Sequence, residues 1–381
     1  MASVPFLRRV RLKNYKSIGD CDVELGRFTI LVGRNGSGKS NFLDALAFVS
    51  DALNTTVREA AEKRHGMHSV VHRAALAEPG SIVIALEFGW EDGTLAEYLL
   101  EVGSDGGHAI LRRERFLVTE PGGGHRTVID CPEVAEHDDE GLARAERPLN
   151  LASETECEAA SAVLNALRDY RVYDPQPRLM RGRESRDGKI LAEDGSNASA
   201  VYRRLPEEDS ERLVEFLSVA VDDFGTLSIR SNSSNEEWVG FYYTHEDDVF
   251  TFHNHEVSDG TLREFAVLLA SRQLKDGRPL PLVAIEEPDA GLHPRAGAAI
   301  FEALQEASLS SQILITSHSP DLLELLDPDV DCLLVAERTG RSTRIGPVDE
   351  VSRSVIREKM YSADELLRQD QLAPEREAGG V

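Results

Sequence analysis

The sequence predicts an α/β fold with an antiparallel β subdomain and a short helical insertion, on three observations. Ile30 to Asn41 reads ILVGRNGSGKSN, a glycine-rich turn between an apolar strand pattern and an amphipathic helix pattern. Four runs between Ser81 and Ile129 are separated by Gly-containing turns at the spacing of an antiparallel meander. From Val257 onward, short apolar runs that end in polar strings alternate with helical patterns, as in a parallel sheet flanked by helices.

The first observation carries the chemistry. Gly33, four intervening residues, then Gly38-Lys39-Ser40 match G-x-x-x-x-G-K-[ST] without a mismatch. In P-loop NTPases this pattern is a loop whose backbone N–H groups nest around phosphates. Phe28 to Val32 is the buried parallel strand before it. The helix after it runs from Asn41, with apolar positions at Phe42, Leu43, Leu46, Phe48 and Leu53. The helix N-terminus therefore points at the phosphates. Gly36 and Gly38 admit close approach of the backbone to the anion. Lys39 reaches the β- and γ-phosphates, and the Ser40 hydroxyl ligates Mg2+. Gly33, Asn35, Gly36, Ser37, Gly38, Lys39, Ser40 and Asn41 are the candidate nucleotide-binding residues here. A ligand-free Gly/Ser turn is the plain alternative, and the matched strand, loop and helix weigh against it.

Composition bounds the remainder. At 381 residues the chain exceeds one average domain, so one large domain with an insertion, or two domains, is expected. The formal net charge of -25 argues against a protein that coats nucleic acid non-specifically, though it leaves room for a local basic groove. Cys21, Cys131, Cys157 and Cys332 are far apart and form no C-x-x-C, the pattern of a reduced cytoplasmic protein. The N-terminus has no apolar core of signal-peptide length, and no apolar run is long enough to span a membrane.

Taken in order, Phe6 to Leu12 reads as an edge-proximal strand and Asp20 to Glu24 as a second. Arg8, Arg9, Arg11, Lys13 and Lys16 are the densest positive charge in the chain. They suit either nucleotide or nucleic-acid contact or a solvated strand face. The polar stretch Arg58 to His72 places His68 and His72 four apart, without the Glu of a zinc-binding H-E-x-x-H. Strands follow at Ser81–Phe88, Ala96–Val102, Ala109–Val118 and Arg126–Ile129, then a helix at Glu154–Tyr170. Arg171 to Pro177 is extended. A basic loop follows with Arg178, Arg181, Arg183, Arg186 and Lys189, a partner or nucleic-acid contact or simply a solvated loop. Helices are expected at Asn197–Leu205 and Glu207–Val221, and strands at Leu227–Arg230, Trp238–Thr244 and Val249–Asn254. His253 and His255 read as a polar cross-strand pair. Ser258 is a plausible N-cap for the next helix. Strands at Leu282–Ile285 and Ile313–Thr316 enclose a helix at Arg295–Ala307. Val330–Ala336 is expected as the last strand, Ala363–Leu367 as part of a short helix, and Ala373–Val381 as a loose tail.

The second half supplies chemistry that a phosphate loop alone lacks. Glu286 and Glu287 stand at the C-terminal end of a strand, where open α/β sheets keep their sites. One carboxylate there can hold Mg2+, and the other can orient and deprotonate an attacking water. Thr316-Ser317-His318 ends a second strand, and a His there can sense the γ-phosphate.

The order of motifs resembles the ABC-type ATPase family in its SMC/RecF-like branch. It is most similar to the bacterial predicted AAA-type ATPases related to the ATPase half of OLD nucleases. The carrying residues are Asn14-Tyr15-Lys16-Ser17, the phosphate loop, Ser258-Asp259-Gly260-Thr261, Glu286-Glu287-Pro288-Asp289-Ala290-Gly291-Leu292-His293-Pro294 and Thr316-Ser317-His318-Ser319-Pro320. The resemblance implies an ABC-ATPase-like head that hydrolyses ATP with Mg2+. It also implies a head-to-head homodimer sandwiching two ATPs. Lys39, Glu287 and His318 would be catalytic, and Ser40 and Glu286 would hold the metal. Ser258 and Gly260 would contact the γ-phosphate on the other subunit, with Asp289 in the segment crossing the interface. The chain departs from the family pattern in reading SDGT for SGGQ and Glu286 for the commoner Asp. Gln176 is the candidate for the family's metal-contacting Gln.

Residues 1–140 are expected to form the N-terminal part of the head, 141–226 a helical insertion, and 227–381 the C-terminal part of the head. No sustained heptads mark a long coiled coil. Too few residues follow the last expected strand for a nuclease domain, so a nuclease or effector would be a separate polypeptide. DNA is a candidate ligand, and DNA maintenance or anti-phage defence the expected setting. An ABC transporter's nucleotide-binding subunit, a non-catalytic ATP-binding scaffold and a small-molecule phosphotransferase are the rivals. Lys39→Ala should abolish tight ATP binding, because the β/γ-phosphates lose their point charge. Unchanged affinity by calorimetry would sink the phosphate-loop assignment.

Overall fold

Strand β1 (Phe6–Tyr15) is paired on both sides, antiparallel to β2 (Ile18–Glu24) and to β4 (Ile82–Gly89), so it is interior and not near an edge. The alternation of apolar and basic residues suggests an exposed strand; the pairing has a register shift between Leu7 and Arg9. This shift lets Leu7 and Val10, an odd number of residues apart, both be buried, where strict alternation would turn one of them out. The basic residues on β1 are largely neutralised across strands. Arg9 pairs with Asp22 at 2.5 Å, Lys13 with Asp20 at 4.0 Å, and Arg11 with Glu97. The cluster is a paired strand face.

The computed structural model describes residues 4–72, 80–122, 124–131, 157–181, 188–231, 237–245, 248–326 and 330–375. Two compact units divide the chain. The first comprises Met1–Tyr170, Asp331–Ser354 and Leu372–Val381, and the second Arg171–Val330 and Val355–Gln371.

In the first unit, β3 (Phe28–Val32) leads into α1 (Lys39–Asn54), whose Phe42, Leu43, Leu46, Phe48 and Val49 are fully buried. The polar stretch after α1 is helical. It holds α2 (Val57–Glu62), capped by Thr56 on Glu59 N, and α3 (Met67–Val70). Buried Arg64 holds this segment to α1 through Asp44 at 2.7 Å and Asp51 at 2.8 Å. Asp44 also accepts from the buried Tyr15 hydroxyl at 2.7 Å and pairs with Lys16 at 2.5 Å. Burial opposes the Asp44 charge, but Arg64 and Lys16 outweigh it and hold its pKa below the usual carboxylate value. His72 directs Nδ1 at the Lys16 carbonyl, 2.7 Å away. Strands β4, β5 (Leu95–Asp105), β6 (His108–Thr119) and β7 (His125–Cys131) form the expected antiparallel meander. Helix α4 (Glu158–Arg168) closes on α1, where Ser50 donates to the carbonyls of Arg168 and Tyr170.

The second unit opens with β8 (Arg171–Tyr173), α5 (Pro177–Met180), α6 (Ala198–Tyr202) and α7 (Glu207–Ala220). Strands β9 (Phe224–Ser231), β10 (Glu237–His245) and β11 (Asp248–His253) form an antiparallel sheet. Helix α8 (Asp259–Arg272) packs on it, with Phe265 edge-on to Phe241 at 5.7 Å. His255 lies in the turn after β11, and its ring stacks on His253 at 5.2 Å. The expected cross-strand pair is thus a stacked pair over a turn. A small hairpin, β12 (Leu274–Lys275) and β13 (Arg278–Pro279), precedes β14 (Leu282–Glu286), α9 (Pro294–Ala307), β15 (Gln312–Ser317) and α10 (Pro320–Glu324). β8, β14 and β15 are parallel neighbours.

The chain returns to the first unit as β16 (Leu333–Thr339) and continues into β17 (Ser342–Pro347), a strand that polar residues hide in the sequence. Within this unit the strands run β7-β6-β5-β4-β1-β2-β17-β16-β3, with β16 parallel to β3 and β17 parallel to β2. Helices α11 (Glu350–Arg357) and α12 (Ala363–Arg368) follow, α12 closed by a Ser362/Glu365 capping box. The start of the expected loose tail is pinned, with Asp349 N donating to the Ala373 carbonyl at 3.1 Å and Glu375 N to that of Pro347 at 2.8 Å. Residues 376–381 lie outside the described residues. Among the described residues no helix is long and apolar enough to cross a membrane.

Glu264, on α8, is 4% exposed and its Oε2 has no hydrogen-bond partner among the described residues. Burial pushes its carboxyl up to about 7 from 4.5. The folded protein therefore binds a proton there that the unfolded chain releases. This carboxyl's contribution to stability is full below about pH 4.5 and is lost as pH rises through about 7, about 3 kcal/mol in total. Glu264→Gln should flatten this fall. Denaturant melts at pH 5 and pH 8 test it, and a variant as pH-sensitive as the wild type would refute the assignment.

Candidate nucleotide-binding and hydrolysis site

The loop between β3 and α1 joins glycines at positive φ to a buried lysine. Gly38 is the N-cap of α1, no side chain caps the helix, and its first turn has no acid. The N–H groups of such a turn, at the positive end of the helix dipole, favour an anion. Gly33 and Gly38 have φ of 154° and 105°. A Cβ on Gly33 would lie 2.2 Å from the Ala336 carbonyl oxygen, and one on Gly38 would lie 2.3 Å from Thr343 Oγ1. Gly36, with φ of 76°, faces open space. Lys39 is 6% exposed and donates to the carbonyls of Gly33 at 2.7 Å and Arg34 at 3.2 Å. Ser37 Oγ is buried with no partner among the described residues. Glycines admitting no side chain, an uncapped helix start and a buried lysine together fit a phosphate chain.

A chain of hydroxyls supports the loop from below. Thr343 Oγ1 donates to the Ser37 carbonyl at 2.7 Å and lies 2.7 Å from Ser17 Oγ. Asn41 Nδ2 donates to Ser17 Oγ at 2.6 Å. If Thr343 spends its proton on Ser37, Ser17 donates to Thr343 and accepts from Asn41, and every member is satisfied. Ser17 also borders a cavity of about 990 Å³, lined in part by Lys16, His68, His72, Arg338 and Arg341. Thr343, Arg338 and Arg341 were missed in the sequence because they lie on the hairpin of β16 and β17.

In the second unit the acidic string ends β14. Glu286 is its last residue, and Glu287 follows with φ of 43°, a left-handed conformation that side chains rarely adopt. Glu287 N lies 3.1 Å from the Thr316 carbonyl and 3.2 Å from Thr316 Oγ1, and its Oε1 is 2.8 Å from His318 Nδ1. Asp289 Oδ2 accepts from Ser317 Oγ at 2.9 Å, while its Oδ1 is buried without a partner among the described residues. Burial raises the Asp289 pKa, against the hydrogen bond from Ser317. Ser258 is the N-cap of α8 and accepts from Thr261 N at 3.1 Å, and Gly260 lies in the first turn. Arg181 grips that turn through the Val257 carbonyl at 2.7 Å and Asp259, so one arginine of the basic loop is directed inward. Arg183 and Arg186 lie outside the described residues. Gln176 Nε2 donates to Asp174 at 2.7 Å. Among the described residues no three His, Cys, Asp or Glu side chains converge on a cation site. Ser40 and Glu286 belong to different units.

Comparison with known proteins bears on the fold. Residues 125–324 match the family described as "AAA domain, putative AbiEii toxin, Type IV TA system", and residues 6–105 match the AAA ATPase domain. The chain is 34% identical over 88 residues to the DNA replication and repair protein RecF of Allorhizobium ampelinum, a stretch covering 23% of this chain and 21% of that protein. The chain thus spans about a fifth of the length of the curated relative it matches. Among solved structures it is similar to an Smc head bound to the C-winged helix domain of ScpA. That match has a TM-score of 0.58 at 16% identity and covers 90% of this chain and 97% of the other. It is also similar to an Smc head domain with an extended coiled coil from Pyrococcus furiosus, with a TM-score of 0.54 at 13% identity, covering 93% and 99%. The fold and the phosphate loop define a P-loop ATPase head of the SMC/RecF-like ABC type. Within that class, the chain belongs to the AAA-domain family matched over residues 125–324, just over half its length.

Gly38→Ala places a methyl group against Thr343 and Ser17 and strains a left-handed backbone. It should weaken nucleotide binding at least about tenfold while leaving the melting temperature within a few degrees. Equal affinity in calorimetry would show that the loop has room the geometry denies.

Proposed function

We propose that the chain binds and hydrolyses Mg-ATP as an ATP-dependent dimerising switch. It would act with a partner protein or nucleic acid in DNA maintenance or anti-phage defence. The observation that supports hydrolysis most is Glu287, held in a left-handed conformation with its carboxylate on His318. A residue kept in a costly backbone geometry beside an imidazole, at the end of a parallel strand, fits a base that orients and deprotonates water. Lys39 supplies the point charge for the β/γ-phosphates. The Ser40 hydroxyl and Glu286 carboxylate offer the hard oxygen donors that Mg2+ prefers. The ion, when bound, offsets phosphate charge. His318 reports on the γ-phosphate through its contact with Glu287. The cavity lined by Lys16, His68, Arg338 and Arg341 suits the nucleoside end and its nearest phosphate. Glu287→Gln should still bind Mg-ATP and turn it over far more slowly, since the amide cannot take the proton.

Dimerisation rests on Ser258 and Gly260. They stand at the N-terminus of α8, where amides favour an anion, and Asp289 would lie in the segment facing the partner copy. A second polypeptide, such as a nuclease or other effector, would read the ATP state, and DNA is a candidate ligand. Light scattering of Glu287→Gln protein with and without Mg-ATP tests the dimer, repeated with Ser258→Arg added. A shift from monomer to dimer on ATP should vanish with the arginine, while binding at the Lys39 loop survives. Constant mass in all four samples, or full turnover in Ser258→Arg alone, would remove the dimer.

A further inference from the structure

Arg263 uses its guanidinium in an uncommon way. It lies on α8, five residues after Ser258, with its side chain 14% exposed. Nε donates to the Glu287 carbonyl at 3.2 Å, and Nη2 to the Glu286 carbonyl at 3.1 Å. Nη1 donates to the Pro175 carbonyl at 3.1 Å, and Nη2 also lies 3.4 Å from Asp174 Oδ1. Its carboxylate contact is thus the longest of the four.

The two carbonyls at the Nε edge belong to the peptide groups on either side of the Glu287 Cα. Fixing both peptide planes fixes the φ and ψ of the residue between them, and so the direction of its Cα–Cβ bond. Glu287 is the residue with φ of 43°. Such a conformation costs on the order of 1–3 kcal/mol and persists only where its surroundings over-determine it. The Glu287 amide is held by Thr316 and its carboxylate meets His318, but the carbonyl side is held by Arg263. A planar fork can satisfy adjacent carbonyls together, which a lysine ammonium cannot do with the same geometry.

We propose that Arg263 is a positioning residue. It locks the Glu286–Glu287 backbone so that the Glu287 carboxylate is presented for turnover, and it ties that geometry to the helix carrying Ser258. The proposal rests on the hydrolytic reading above. Removing the guanidinium frees the Glu287 backbone to relax toward an ordinary φ, which moves the carboxylate away from His318.

The test is single-turnover ATP hydrolysis and calorimetric Mg-ATP affinity for wild type, Arg263→Ala, Glu287→Gln and the double variant. Arg263→Lys serves as a second probe should the alanine variant fail to fold. Arg263→Ala should lose about 100-fold in rate, the scale of an ångström-sized misplacement, with affinity within about twofold of wild type. Arg263→Lys should lose rate similarly. In the Glu287→Gln background the alanine change should cost almost nothing more, because the residue acts through Glu287. Added methylguanidinium should restore part of the rate to Arg263→Ala and none to the double variant. An unchanged rate in both single variants, an equal loss in both backgrounds, or a loss of affinity that tracks the loss of rate would each overturn the proposal. A wild type that binds Mg-ATP but never turns it over would instead overturn hydrolysis itself, and the role of Arg263 with it.

Discussion

The site depends on a helix start whose N-cap is a glycine. Gly38 gives α1 no capping oxygen, and no acid stands in its first turn. Donors at a helix N-terminus favour an anion. Much of the first unit follows from that preference. The loop must approach a ligand without side chains, so it uses glycines at positive φ. Its floor must then come from elsewhere, and Thr343 and Ser17 supply it. Lys39 is buried against loop carbonyls, which orient it toward the space the loop encloses.

The second unit places its rigidity differently. Around Glu287 the constraint is backbone strain, held by hydrogen bonds from three directions. Arg263 and Arg181 both belong to this scheme, because each ends on backbone carbonyls near a polar turn. Arginine suits that work because its fork is planar and keeps its charge. Elsewhere in the unit arginine does the commoner job. Arg212 and Arg272 pair with Glu306 and hold its carboxyl down at about 2, chiefly through the hydrogen bond from Arg212.

What could be read from the sequence was what is local. The phosphate loop, its strand and its helix are adjacent in the chain, so one window contains the whole device. The same holds for Ser258 as an N-cap and for Glu286 at a strand end. What escaped reading depends on distant partners. Strand β17 buries Thr343 and Ile345 within a run of Arg, Ser and Thr that has no apolar rhythm. The stretch after α1 looks like a polar linker because Arg64, its anchor, is buried against acids from α1. β1 looked like a strand near an edge because it alternates apolar and basic residues, and the acids that pair with those bases, Asp22 and Glu97, lie on other strands. The φ of Glu287 and the grip of Arg263 leave no trace in a single sequence, since both are set by packing.

The floor beneath the phosphate loop has a consequence for synthesis. Ser17 and Thr343 are 326 residues apart, and β16 and β17 are the strands that stand between β2 and β3 in their sheet. On a ribosome moving at about 5–20 residues per second, roughly 15–60 s separate the emergence of the two hydroxyls. Until β16 and β17 arrive, no strand bridges β2 to β3 and the glycine loop lacks Thr343 beneath it. A nascent chain therefore passes through a long interval with its phosphate loop written but not formed. Nucleotide capture becomes a late event, reached only after most of the chain has been made.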